Sequence, residues 1–112
     1  MNDKPQSIGE KQLADADTDV IWQQLGRPLL MELGARDLVY MDDGVMFRFG
    51  PNSPVKLRKI IVKLNGSDLY EVEVGYLQLP SYEWNVIEQV SDVYADSLPE
   101  VVRRLSAKAV DA

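Results

Sequence analysis

The chain has 112 residues, a net charge of −6 at pH 7, and neither cysteine nor histidine. Its length suits one domain, and 46 % hydrophobic with 27 % charged residues is typical of folded globular proteins. The two missing residue types exclude disulfides, thiolate nucleophiles, zinc fingers, imidazole metal sites and Ser-His-Asp catalysis. The acidic balance argues against binding to the nucleic-acid backbone or to anionic lipid, because both need basic side chains.

The sequence has no basic segment followed by an apolar leader, and no apolar run approaches the length that spans a membrane. The absence of cysteine fits a reducing compartment. We therefore expect a cytoplasmic protein with no membrane partner and no direct nucleic-acid binding.

The chain divides into an arm and one domain. Residues 1–16 are polar and lack apolar periodicity, which predicts a flexible arm. The folded domain is predicted over residues 17–110. Asp17 or Thr18 suits the N-cap of its first helix.

Helical turns with an interruption are predicted over residues 18–35. Gly26 suits the position just after a helix end, and Pro28 suits the first turn of a second short helix. Gly34 would stop that helix. The region is therefore either one interrupted helix or two consecutive short ones.

Two hairpins are predicted next. Apolar residues alternate on both sides of Asp42-Asp43-Gly44, and Asp-Gly in that setting is a strong hairpin signal. The second predicted hairpin joins two further alternating strands. Their apolar faces coincide only if the numbers of any two opposite residues sum to an even value. A loop at Gly66-Ser67-Asp68 meets this condition and places Lys63 opposite Glu71. Upstream, Val55 and Leu57 are odd-numbered whereas the apolar face includes Ile60, which predicts a bulge or a bend near Arg58-Lys59.

The last third of the chain predicts a strand and a helix. Apolar and polar residues alternate from Tyr82 to Val86, and helical spacing runs from Asp92 to about Lys108. Pro99 fits only a first helical turn, which would move the N-cap to Asp96 or Ser97. The predicted fold is α+β: an N-terminal helix, an antiparallel sheet of four to five strands with two hairpins, and a C-terminal helix packed on one face.

Charge is split along the sequence. Residues 51–64 hold four bases and no acid, whereas residues 68–100 hold eight acids and no base. Both tracts have strand-like patterns, so the acids should lie on a folded surface. We interpret this surface as a partner-binding face whose residues are Glu71, Glu73, Glu83, Trp84 and Glu88. The alternative is the ordinary solvated face of a sheet.

Other chemistry has weak support in the sequence. Asp42 and Asp43 suit a hairpin turn better than a cation site, and no EF-hand or phosphate-binding pattern occurs. Trp22 is a second candidate anchor for a partner. We expect no catalytic residue, no metal and no cofactor, and we leave homodimerisation through a strand edge open.

Four short stretches also resemble a family. They are Trp22-Gln23-Gln24-Leu25-Gly26, Gly34-Ala35-Arg36, Lys63-Leu64-Asn65-Gly66-Ser67-Asp68-Leu69-Tyr70 and Asp92-Val93-Tyr94-Ala95-Asp96-Ser97-Leu98. Together they resemble a group of short bacteriophage and mobile-element proteins without assigned function, over about residues 20–105. Arg27-Pro28 and Pro99 depart from that group's pattern. The resemblance implies a location in the host cytoplasm and no catalytic residues.

The leading functional hypothesis is a non-enzymatic interaction protein that docks an acidic face onto a basic host protein, as a host-takeover or counter-defence inhibitor would. An immunity- or antitoxin-like inhibitor of a cognate toxin is the second hypothesis. A small-ligand-binding domain, or an enzyme, that uses carboxylates and tyrosines is the third.

Overall fold

The computed structural model describes residues 20–111 as an α+β domain with a five-stranded antiparallel sheet in the order β1-β2-β3-β4-β5. This arrangement confirms the predicted fold class. The elements in chain order are α1 (described over residues 20–25), α2 (Arg27–Leu33), β1 (Arg36–Tyr40), β2 (Gly44–Arg48), β3 (Lys56–Leu64), β4 (Tyr70–Gln78), β5 (Glu83–Val93), a 3-10 turn (Ala95–Ser97) and α3 (Leu98–Asp111). The predicted arm over residues 1–16 and the N-cap at Asp17 or Thr18 lie outside the described residues.

The interruption between α1 and α2 is where the sequence predicts it. Gly26 has φ 85°, a value that favours glycine, and Pro28 lies in the first turn of α2. Gly34 ends α2 in the left-handed conformation. The N–H groups of Gly34 and Ala35 donate to the last carbonyls of α2, so the helix end is capped by the backbone.

The predicted register of the second hairpin is confirmed. Lys63 pairs with Glu71 and Ile61 pairs with Glu73. The predicted bulge near Arg58-Lys59 is wrong, because β3 pairs with β4 without a break from Lys56 to Leu64. The change in parity has another cause: Leu57 points away from the helices and pairs with Leu77.

The predicted helix start at Asp92 is also wrong, whereas the alternative N-cap at Ser97 is confirmed, because Ser97 directly precedes α3. Strand β5 continues to Val93, which pairs with Tyr70 and is 4 % exposed. Because that strand buries Val93, α3 begins only at Leu98. Pro99 lies in the first turn of α3, as expected from its missing N–H.

One face of the sheet carries the core. Alternate residues of the strands pack against apolar residues from all three helices. Tyr70 is one of these strand residues, and burial raises the pKa of its phenol. The buried apolar residues are Ile21, Leu25, Leu29, Val45, Phe47, Phe49, Ile60, Val62, Tyr70, Val72, Val74, Val93, Leu98, Val102, Leu105 and Ala109. The alternate side chains of the strands lie on the opposite face, away from the helices.

Candidate functional site: the open face of the sheet

We call the sheet face opposite the helices the open face. Directly paired residues of antiparallel strands point to the same side, so the register assigns its members. They are Val39 of β1, Gly44, Met46 and Arg48 of β2, Leu57, Lys59, Ile61 and Lys63 of β3, Glu71, Glu73, Gly75 and Leu77 of β4, and Trp84, Val86 and Gln89 of β5. None of the elements described over residues 20–111 packs across it.

Trp84 is held in a defined position on the open face. Its indole N–H donates a hydrogen bond of 2.8 Å to Oε2 of Glu73. Its six-membered ring lies against Gly75, where an added Cβ would be 2.8 Å from Cζ2 of the ring. The missing side chain of Gly75 therefore leaves the space that the indole fills, and the ring is fixed at half-burial.

Apolar residues surround the tryptophan. Leu57, Leu77 and Trp84 form one row across β3, β4 and β5. Val86, next to this row, is 54 % exposed. The three residues of the row are half-buried, and together with the exposed Val86 they form an apolar patch on a sheet face that no described helix covers, as binding surfaces often do.

Unpaired charges of both signs share the open face with the apolar row. Lys59 and Lys63 are on β3, and Glu71 is opposite Lys63 on β4. Among residues 20–111, the side chains of these three residues form no hydrogen bond and no ion pair within 4.0 Å. A cleft of about 90 Å³ lies between Lys63 and Glu71, and Ile61, Glu73 and Gln89 complete its lining. These groups are available to charges on another molecule.

Arg48 differs from the other bases of the open face. Its Nη1 makes a 3.0 Å ion pair with Oδ2 of Asp37, while its Nε is buried without a hydrogen-bond partner. Asp37 is held in the left-handed region at φ 53°, where the register between β1 and β2 shifts. The Arg48 charge is therefore largely neutralised within the domain.

The five residues of the predicted binding face do not form one surface. Glu71, Glu73 and Trp84 lie together on the open face. Glu83 begins β5 and pairs with Gln78, so alternation directs it to the other side. Glu88 pairs with Val74 on the helix side of the sheet.

Glu88 is occupied by basic residues of α3. Nζ of Lys108 lies 2.6 Å from Oε1 of Glu88, and Nη1 of Arg104 lies 3.5 Å from Oε2. The hydrogen bond from Lys108 is the main reason that the pKa of the Glu88 carboxyl lies below its ordinary value. Glu88 thus ties α3 to β5 within the domain.

The second candidate anchor, Trp22, has a structural role. Its ring centroid lies 5.9 Å from that of Phe47 and 6.3 Å from that of Tyr40, on the helix side of the sheet. These contacts pack α1 onto β1 and β2. Of the two tryptophans, Trp84 is the one on the open face.

Sequence reasoning missed the apolar and basic members of the open face. The sequence did indicate the position of Leu57 and Leu77. Each has an odd number, like the charged open-face residues of its strand, and so shares a face with them. Gly75 also gave one, because a glycine inside a strand often marks a close approach by another group. Lys59 and Lys63 were visible as bases, but only the register shows that both share the open face with the tryptophan and that Lys59 pairs with Gly75, which the ring covers.

A second concavity lies between α2 and α3. This groove of about 360 Å³ is lined mainly by apolar residues, including Leu33, Phe49 and Val110. Arg103 and Glu32 close one side with a 3.1 Å ion pair. Ser106 lines the groove, but its hydroxyl donates to the Val102 carbonyl at 2.7 Å, so it is engaged within α3.

Three further features bear on the class of site. Within residues 20–111, no three acidic side chains come close enough to form a metal-binding group. Asp42 and Asp43 lie exposed in the turn between β1 and β2, as expected for hairpin residues. None of the helices described in residues 20–111 is long and apolar enough to cross a membrane.

Comparison with protein-family models, with curated proteins and with solved structures found no match to the chain. The resemblance to bacteriophage and mobile-element proteins therefore stays a prediction. The function has to be argued from the geometry of the domain.

Proposed function

We propose that this protein is a non-catalytic protein-binding domain that docks a partner protein on the open face of its sheet. The observation that carries the proposal is the fixed position of Trp84, bonded to Glu73 and seated on Gly75 beside unpaired charges. Trp is among the residues that contribute most to protein interfaces, and an anchor held before binding loses little side-chain entropy.

The size of the open face supports a protein as the partner. Strands β3 and β4 each have nine residues, which corresponds to a length of about 30 Å. Five strands spaced about 4.8 Å apart give a width of about 20 Å. The resulting area of about 600 Å² per partner is at the lower end of specific protein interfaces.

The charges define the partner's chemistry. Glu71 and Glu73 favour basic groups, in keeping with the acidic face expected from the sequence. Lys59 and Lys63 lie on the neighbouring strand and favour acidic groups, so the partner's surface should carry both signs beside an apolar patch. Such an interface gains much of its association rate from electrostatics and weakens as salt is added.

The resemblance to bacteriophage and mobile-element proteins supports a host protein as the partner. Under this proposal, binding blocks a host or defence complex and so serves host takeover or counter-defence. An immunity- or antitoxin-like role differs in that the partner is encoded beside the gene. Co-expression with the product of the neighbouring gene separates the two roles.

Affinity capture with surface variants tests the proposal. The tagged chain is incubated with lysate of the source cells at about 0.01 M and about 1 M salt, where the Debye length is about 30 Å and 3 Å. Val86→Asp alters an exposed residue of the open face, and Met31→Asp is the matched control on α2, where Met31 is 74 % exposed. Both substitutions add one acid at an exposed apolar position.

The proposal predicts one stoichiometric protein that is retained at low salt, lost with Val86→Asp and kept with Met31→Asp. If the Val86→Asp variant retains the captured protein as well as the unaltered chain does, the binding surface lies elsewhere. An empty capture at both salt concentrations would also count against the proposal.

A further inference from the structure

We infer that the open face is self-complementary and that two copies of the chain pair through it in a two-fold dimer with the sheets face to face. The inference rests on the proposed function, since it names a second copy as a partner of the same surface. It deepens the proposal by stating which side chains meet.

The separation of charge between two neighbouring strands carries the inference. On the open face, β3 presents Lys59 and Lys63, whereas β4 presents Glu71 and Glu73. A two-fold axis parallel to the strands, placed between β3 and β4, lays β3 of each copy over β4 of the other. Isologous pairing of this kind requires each patch to complement itself.

The register specifies the ionic contacts of this dimer. Lys63 and Glu71 form one row of the sheet, so the two-fold axis brings Lys63 over Glu71 of the second copy, and the same contact occurs twice. Neither side chain has an ion-pair partner among residues 20–111. Association therefore pairs charges without breaking ion pairs inside the domain.

Leu57 and Leu77 are complementary under the same operation, although that operation also lays Ile61 over Glu73 of the second copy. Leu57 and Leu77 form another row, and each comes to lie over the other residue of the second copy. Lys59 pairs with Gly75, which the Trp84 ring covers, so Lys59 approaches the indole of the second copy. A lysine over an indole face is a favourable cation–π arrangement.

Pairing through strand edges is less favourable than pairing through the open face. All the charged residues of the edge strand β5 are acids, namely Glu83, Glu88 and Asp92. Two-fold pairing of β5 with itself would therefore bring like charges together. The other edge strand, β1, has five residues and an irregular register between Arg36 and Val39. Both features hinder edge-to-edge pairing.

Sedimentation analysis of the purified chain tests the inference across micromolar to millimolar concentrations. At about 0.01 M salt we expect a monomer–dimer equilibrium, and at about 1 M salt we expect it to shift to monomer. Lys63→Glu or Glu71→Lys alone should raise the dimer dissociation constant at least about tenfold, because each places like charges together twice.

Mixing the two single variants provides the decisive arm. One chain then presents acids at positions 63 and 71 and the other presents bases, so the heterodimer has two attractive pairs. We expect the mixture to associate while each variant alone stays monomeric. Circular dichroism of each variant checks that both are folded.

The outcomes separate this inference from the proposed function. The inference of self-pairing is wrong if the chain stays monomeric at every concentration. It is also wrong if a dimer forms whose dissociation constant is unchanged by Lys63→Glu, by Glu71→Lys and by mixing the two variants. If that chain still captures a protein in a manner sensitive to Val86→Asp, the proposed function stands without it. If neither association is seen, both are wrong.

Discussion

The indole N–H of Trp84 on β5 bonds to the Glu73 carboxylate on β4 at 2.8 Å, across the sheet. This bond links the edge strand to its neighbour and fixes the direction in which the ring faces. Because the ring also fills the space above Gly75, the anchor is part of the sheet's own packing. Stability and binding are therefore coupled at this residue.

Trp84→Phe should lower the free energy of unfolding by about 1 kcal/mol more than Glu73→Gln, since phenylalanine cannot donate whereas glutamine still offers a carbonyl acceptor. Urea denaturation followed by circular dichroism measures both changes. Equal losses for the two variants would show that the hydrogen bond does not stabilise the fold.

Gly75→Ala should destabilise the domain by about 2–3 kcal/mol. The new methyl group would meet the Trp84 ring and the Asn85 carbonyl oxygen, both belonging to β5. Gly66→Ala is the control, because no atom lies within 4 Å of its added Cβ. That control should change the stability by less than about 0.5 kcal/mol, and thermal unfolding of both variants gives the comparison.

The pKa of the Glu88 carboxyl should lie below its ordinary value, chiefly because of the hydrogen bond from Lys108. Its lowered folded-state pKa stabilises the fold above that value, and this contribution is lost as the pH falls through the folded pKa. The stability difference between the wild type and Glu88→Gln should thus be largest near neutral pH and should shrink in acid.

Variants of α3 identify the cause of this shift. Lys108→Ala should raise the pKa of Glu88 more than Arg104→Ala, because the hydrogen bond from Lys108 is the largest contribution. A nuclear magnetic resonance titration of the Glu88 side chain gives its pKa in the wild type, in Lys108→Ala and in Arg104→Ala. A larger effect of Arg104→Ala would contradict the geometry seen here.

Leu105→Ala should cost about 2–5 kcal/mol, because Leu105 is fully buried between α3 and the sheet. Met31→Ala removes a side chain of similar size from α2, where it is 74 % exposed, and should cost less than about 0.5 kcal/mol. Chemical denaturation of the pair tests whether the core lies only on the helix side of the sheet.

Much of the fold follows from local rules that the sequence displays. The period-two pattern and the parity rule give the register of Lys63 with Glu71, and Gly26 and Gly34 mark the ends of the short helices. The predictions fail where a tertiary contact determines the end of an element. Val93 extends β5 because it is buried against Tyr70, and this contact is not visible in a helical spacing.

The candidate site was predicted only in part, for a geometric reason. Sequence alternation shows that Glu71 and Glu73 share a face, but β5 shifts register between its pairs with Val74 and Gly75. That shift places Trp84 on the open face and Glu88 on the helix side. A one-residue irregularity reverses the facing of every later side chain, and the sequence gives no clear sign of it.

Carboxylate footprinting tests the central claim, that the open face is the binding surface. Carbodiimide modification of Glu71, on the open face, is compared with that of Glu100, exposed on α3, for the free chain and for its complex. The complex is formed with the captured partner or by concentrating the chain. We predict that Glu71 is protected several-fold while Glu100 reacts at an unchanged rate. Protection of Glu100 with unchanged reactivity of Glu71 would contradict the account and move the binding surface to the helix side.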